Sequence, residues 1–198
     1  MLTKKELRRQ IFHTLLGVIV ILLISIGILS PLSIFLIILV GMMISMISKR
    51  IKIPFVSFFL KHFEREEAMK KFPGKGVIFF FVGVLLSLQL FEKDIALASI
   101  MVLSLGDSVS HLIGKSFGRI KNIFNGDGKK LLEGTLAGTL AGFFGALVFV
   151  PFPEAFLGAF GAMIVEVVKI DFNDLTLDDN LVVPLVAGTI MFLLRTYL

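Results

Sequence analysis

The sequence predicts an all-α polytopic membrane protein: about seven transmembrane helices, one amphipathic interfacial helix and a cytoplasmic N-terminus. Three observations carry this. First, 56% of the 198 residues are hydrophobic, mean hydropathy is +0.94, and charged residues make up only 18%, against roughly 25% in a soluble domain. A soluble fold of this size would leave a large apolar surface in water, so a soluble enzyme and a disordered chain are both excluded. Second, the apolar residues gather in runs near the ~20 residues that cross a bilayer as a helix. Third, the cations are one-sided. Of 20 Lys and Arg, only Lys93 and Arg195 fall outside when the connections are assigned to alternate sides, and cation-rich connections stay in the cytoplasm.

The first span is read over 11–29. Lys4, Lys5, Arg8 and Arg9 precede it as in a signal peptide, but the run is too long and lacks a small-residue cleavage site, so it is expected to be retained. Ser30-Pro31 ends it, and Pro31 suits the first turn of a second span over 32–48. The segment 53–72 places Phe55, Phe59 and Phe63 at four-residue steps beside Lys61, Glu64, Arg65, Lys70 and Lys71, the pattern of an interfacial helix. Pro73-Gly74-Lys75-Gly76 then turns the chain into a third span over 76–91. The fourth, fifth, sixth and seventh are expected over 95–113, 134–150, 155–170 and 180–197. The third and sixth are short enough to be tilted, broken or partly re-entrant. The outer turns are tiny, so the whole of 1–198 reads as a single integral-membrane catalytic domain whose chemistry faces the cytoplasm. With no Cys, it has no disulfide framework, thiol nucleophile or thiolate zinc site. The net charge of +5 reads as topology and attraction to anionic headgroups rather than nucleic-acid binding.

The chemistry-bearing residues cluster near the cytoplasmic ends. In the fourth span, helical spacing puts Ser104, Asp107, Ser108, His111 and Lys115 on one stripe. Asp107 lies about 9 Å inside the span end at 1.5 Å per residue, where an ionisable group must be paired or face a wet cavity. A structural Asp107–His111 pair is the plain alternative to a catalytic one. The connection that follows carries Lys115, Arg119, Lys121, Lys129 and Lys130 around flexible Gly turns. Such a loop can wrap a polyphosphate or simply anchor to anionic lipid. It is not a Walker A loop, because Val109 stands where the earlier Gly is required.

Glu133 precedes Gly134, Gly138 and Gly142, which recur every four residues. The bare face suits close helix packing, within the chain or in a homo-oligomer, and a helix starting at Gly134 offers N–H groups to phosphate. Glu166 near the end of the sixth span either pairs with Lys169 or binds metal. Asp178, Asp179 and Asn180 either cap the seventh helix or belong to a metal–nucleotide site. The surrounding acidic connection is not an EF-hand, since Leu175 and Thr176 occupy positions needing an oxygen ligand and Gly. His13, four residues after Arg9, is placed to reach the headgroups or the site, whereas His62 reads as surface.

Taken in order, Arg8-Arg9-x-x-x-His13-x-x-x-Gly17, Gly106-Asp107-Ser108 with Gly114 and Gly118-Arg119, Lys129-Lys130 with Glu133-Gly134-Thr135-Leu-Ala-Gly138, Glu166, and Asp178-Asp179-Asn180 with Pro184 resemble the CTP-dependent lipid-alcohol kinases. That family includes dolichol kinase, phytol kinase and the CTP-using diacylglycerol kinase. Leu131-Leu132-Glu133 departs from the family's common Lys-Ser-Glu. The resemblance implies transfer of the γ-phosphate of CTP, with Mg²⁺ or another divalent cation, to a membrane alcohol, a polyprenol or dolichol foremost. It implies Asp107 as metal ligand or base with His111 beside it, and Glu166 and Asp179 as further metal ligands. Lys115, Arg119, Lys129, Lys130, Glu133, Gly134 and Asn180 would bind nucleotide, and Arg9 and His13 the lipid head. Two alternatives stand: a CTP:phosphatidate or archaeal-lipid cytidylyltransferase, and a small ion-coupled transporter using Asp107 and Glu166 as relay sites. The outer half of the bundle offers a transport path almost no polar residues.

Overall fold

A computed structural model of the chain describes residues 2–51, 53–64, 72–120, 131–167, 171–172 and 175–198. Helix α1 (Lys4–Ser25) begins earlier than the hydropathy suggests, because Thr3 in extended conformation caps it and accepts the Glu6 N–H at 3.2 Å. It stops short of the expected Leu29, where Gly27 takes a left-handed φ of 80°. Helix α2 (Pro31–Ser48) starts at Pro31 with Ser30 as its cap. Helix α3 (Pro54–Phe63), where an interfacial helix over 53–72 is expected, ends at Phe63: Glu64 is already extended, and 65–71 lie outside the described residues. Gly74, with φ 78°, provides the left-handed turn into α4 (Lys75–Leu90).

The fourth expected span is a continuous helix, α5 (Lys93–Phe117), with a six-residue π segment over Val102–Asp107. Nothing in the hydropathy pattern marks that widened turn. Helices α6 (Leu132–Ala146), α7 (Phe152–Val167) and α8 (Asp179–Tyr197) follow. The architecture is all-helical as expected, with one short antiparallel pair in the connection before α8, where Asp171–Phe172 (β1) lies against Leu175–Thr176 (β2) with Asp171 opposite Thr176. Among the described helices α1, α2, α5 and α8 are long and apolar enough to cross a membrane, and α4 is apolar but shorter. At 15 and 16 residues, α6 and α7 extend only about 22–24 Å, less than the ~30 Å hydrocarbon core.

Helices α1, α4, α6, α7 and α8 pack against α5, while α2 packs on α4 and α3 on α1. A Cβ on Gly138 would lie 2.7 Å from the Gly106 carbonyl oxygen and 2.7 Å from Ser110 Cβ. One on Gly134 would lie 2.7 Å from the Ser110 carbonyl oxygen, and one on Gly142 3.3 Å from Val102. The glycine face of α6 is therefore packed within the chain against α5. Helix α1 docks on the π segment by the same device, since a Cβ on Gly17 would collide with Ser104 Oγ. Thr14 Oγ1 donates to the Ser104 carbonyl at 3.2 Å, and Ser108 Oγ donates to the Gln10 carbonyl at 3.4 Å. In α8, Pro184 removes the N–H that would bond the Asn180 carbonyl, and Gly83 of α4 packs against that oxygen.

The bundle has two polar ends. At one, Arg195 at the end of α8 binds Glu92 at 2.8 Å and Asp94 at 2.7 Å in the α4–α5 turn, and Glu154 at the start of α7 at 2.7 Å. Lys93 donates there to the Ser25 carbonyl at 3.5 Å. The other end holds the start of α1, the end of α5 and the start of α8.

If backbone approach of α6 to α5 holds the bundle, Gly138→Ala will destabilise it by about 1–3 kcal/mol, the usual cost of overpacking. Thermal unfolding in detergent reads this as a clear fall in Tm, and an unchanged Tm would contradict the packing.

Candidate functional site

The stripe of α5 read from the sequence faces α1. Ser104 and Ser108 make the helix contacts just described. Asp107, at the end of the π segment, and His111, one turn later, approach to 3.7 Å between Oδ1 and Nε2. Glu166 near the end of α7 and Asp179 in the first turn of α8 join them. One ligand atom from each of Asp107, His111, Glu166 and Asp179 lies within 4.8 Å of the others, and Glu166 is buried. Opposite ligands of one cation stand about 4.2 Å apart around Mg²⁺ and about 4.6–5.2 Å apart around Ca²⁺. The four groups thus lie within reach of one ion, and three carboxylates with one imidazole form an oxygen-rich set suited to a hard divalent cation.

Asp178 and Asp179 divide the two roles the sequence left open. Asp178 caps α8, its Oδ1 accepting from the Asn180 backbone N–H at 3.2 Å and from Asn180 Nδ2 at 2.8 Å, and its Oδ2 pairs with Lys75 Nζ at 3.2 Å. Asp179 turns into the carboxylate cluster.

A cleft opens between α1, α3 and α4. Phe12, Leu16, Phe59, Phe63 and Phe80 give it apolar walls, while Arg9, Gln10, His13, Glu64, Asp107 and Asn180 supply its polar part. Phe12 packs edge-on to Phe59 at 4.9 Å, which fixes α3 on α1, and His13 stands edge-on to Phe80 at 5.3 Å. Asp107 belongs both to this cleft and to the carboxylate cluster.

Of the expected nucleotide ligands, Lys115 pairs with Glu6 at 3.0 Å, and Arg9 meets the same carboxylate at 2.6 Å. Sequence reading passed over Glu6, although it is the acid placed three residues after the Thr3 cap in a basic arm. Gln10, four residues on and buried, was missed too, as were the cleft residues Phe12 and Phe80. Glu133 closes the basic loop: its carboxylate accepts from Arg119 N–H at 2.9 Å and Ile120 N–H at 3.1 Å, while Leu132 N–H donates back to the Ile120 carbonyl at 3.0 Å. Its own backbone N–H, with those of Arg119 and Ile120, holds the Glu133 carboxyl below the usual carboxylate range. Gly134 is buried against Gly114, so its face of α6 is turned to α5. Lys121, Lys129, Lys130 and Lys169 lie outside the described residues.

Among curated proteins, the uncharacterized protein MJ1137 of Methanocaldococcus jannaschii is 32% identical over 191 residues, covering 94% of this chain and 93% of the relative. The chain belongs to the family of MJ1137. The CTP-dependent diacylglycerol kinase 1 of Schizosaccharomyces pombe is 28% identical over 140 residues, 60% of this chain and 60% of the kinase. This second similarity supports the CTP-dependent kinase family that the motifs resemble. The chain spans about three-fifths of that kinase's length. No family profile matches the sequence, and no solved structure matches it.

The donor set predicts that Mg²⁺ or Mn²⁺ added to metal-stripped protein will raise its melting temperature, since a ligand that binds only the folded state stabilises it. Glu166→Gln should lose most of that rise, and a rise of equal size in the variant would remove Glu166 from the ligand set.

Proposed function

We propose that the chain is a CTP-dependent kinase that transfers the γ-phosphate to the hydroxyl of a membrane lipid alcohol. A polyprenol or dolichol is the foremost acceptor, with phytol, geranylgeraniol and diacylglycerol as the others. One observation carries this reading: Asp107 stands where an apolar, aromatic-walled cleft meets a carboxylate–imidazole cluster. A lipid alcohol and a metal–nucleotide need that junction between them, whereas a transporter needs a polar path through the bundle. The similarity to a CTP-dependent kinase supports the donor.

The roles follow from position. Asp107, Glu166 and Asp179, with His111 beside them, hold the divalent cation. That cation, when bound, neutralises charge on the phosphate oxygens. Lys115, Arg119, Lys129 and Lys130 hold the triphosphate, Glu133 closes the loop that carries them, and Asn180 flanks the nucleotide. The starts of α6 and α8, with Gly134 in the first of them, turn their positive dipole ends toward the same end of the bundle. Arg9 and His13 meet the lipid head. The acceptor chain enters sideways between α1, α3 and α4, and the Phe walls exclude water from its hydroxyl. The charge asymmetry of the sequence supports seven spans with this end cytoplasmic, in a plasma or ER-type membrane. The opposite end, where Arg195 is saturated by three carboxylates, then faces outward.

Purified protein incubated with γ-labelled CTP, Mg²⁺ and a panel of polyprenols, phytol, geranylgeraniol and diacylglycerol should place label in lipid. Release of labelled pyrophosphate with CMP retained on lipid would instead establish cytidylyl transfer. Asp107→Asn should reduce turnover by at least 10²-fold while leaving the fold intact, and a folded variant with near-normal turnover would return Asp107 to a structural role.

A further inference from the structure

Two buried nitrogens on α1 stand out. Nε2 of His13 and Nε of Arg9 have no hydrogen-bond partner among the described residues, and both residues line the cleft that reaches Asp107. Burying a polar atom without a partner costs stability, so such atoms are kept where a ligand supplies the bond. Arg9 places Nη2 on Glu6 at 2.6 Å, which fixes the guanidinium, and Phe80 stands edge-on to the His13 ring at 5.3 Å.

The two atoms differ in kind. An Arg Nε–H can only donate, while the ring nitrogen of a neutral histidine that carries no proton accepts. A single group that satisfies both must accept from one side and donate to the other. A hydroxyl does this; an ether, ester or ketone oxygen only accepts. The placement agrees: residues 9 and 13 are four apart on α1, so their side chains rise from one face of the helix and line the same cleft.

We propose that Arg9 Nε and His13 Nε2 together form an acceptor subsite that brackets one hydroxyl, Arg9 donating to its oxygen and His13 accepting its proton in a hydrogen bond. This rests on the kinase reading for the identity of the alcohol. It separates the work of the two helices: α1 grips the acceptor by its hydroxyl, and the carboxylate cluster on α5, α7 and α8 is left to the cation. It entails selection at the head rather than along the chain, because a site built around a hydroxyl penalises an analogue without one.

The test uses the full-length protein in detergent micelles and two probes, geranylgeraniol and its methyl ether, whose oxygen accepts but cannot donate. Binding is measured without CTP, and turnover is measured separately with labelled CTP. The wild type is expected to bind the alcohol at least tenfold more tightly than the ether. His13→Phe keeps the ring against Phe80 and removes the acceptor. It should weaken alcohol binding about tenfold, bring the alcohol-to-ether ratio close to one, and leave the KM for CTP unchanged. His13→Gln, whose amide reaches the place of Nε2, should restore part of the ratio. Arg9→Lys keeps the charge beside Glu6 but loses Nε, and should weaken both probes alike. An unchanged ratio in a folded His13→Phe variant, or a His13→Gln no better than His13→Phe, overturns the subsite. Histidine-dependent alcohol binding with no label transferred to any lipid would leave the subsite standing and overturn the kinase reading.

Discussion

The contact on which the rest of the molecule depends is the approach of backbone to backbone along α5. In lipid, burying an apolar side chain against another helix gains little over leaving it in hydrocarbon, so helices hold together where small residues let them touch closely. Gly134, Gly138 and Gly142 bring α6 onto the carbonyls of Gly106 and Ser110, and Gly17 brings α1 onto Ser104. Both contacts bear on the stretch of α5 that contains the π segment. A widened turn needs neighbours that hold it open, and here they are a glycine ridge on one side and a glycine notch with the Thr14 hydroxyl on the other. Asp107 is the residue that this arrangement delivers to the cluster.

Charge is handled economically at that end. Glu166 is buried and would be costly alone, but it lies among two further carboxylates and an imidazole within the reach of one cation. Three of the basic residues nearby are held by acids of their own: Glu6 gathers Arg9 and Lys115, and Asp178 holds Lys75. Each cation is thereby fixed in place before any anion arrives, which reduces the side-chain entropy lost on binding.

Much of this architecture was legible in the sequence for simple reasons. Hydropathy placed the apolar helices after α1 to within about four residues at each end, and although α1 starts well before its apolar run, the Thr3–Glu6 spacing already contained that start. Asp107, His111, Glu166 and Asp179 stood out as ionisable groups in or beside apolar runs, although they come from three helices far apart in the chain. What stayed hidden is what periodicity does not encode. A π turn adds no apolar signature, so the break in α5 at Val102–Asp107 was invisible. A glycine stripe tells that something packs closely, not whether it is the same chain. Glu6 looked like one acid in a basic arm, because its partner Lys115 is distant in sequence. The roles of Asp178 and Asp179 could not be parted by composition, since neighbouring residues at a helix start point in different directions.

The carboxylate clasp around Arg195 joins segments far apart in the chain. It gathers the α4–α5 turn, the start of α7 and the end of α8, while Lys93 ties the end of α1 to the same turn. Helix α4 has 16 residues and is about 24 Å long; Gly76, Val77 and Phe80 at its start line the aromatic-walled cleft, so the clasp ties the bundle together at the end away from that cleft.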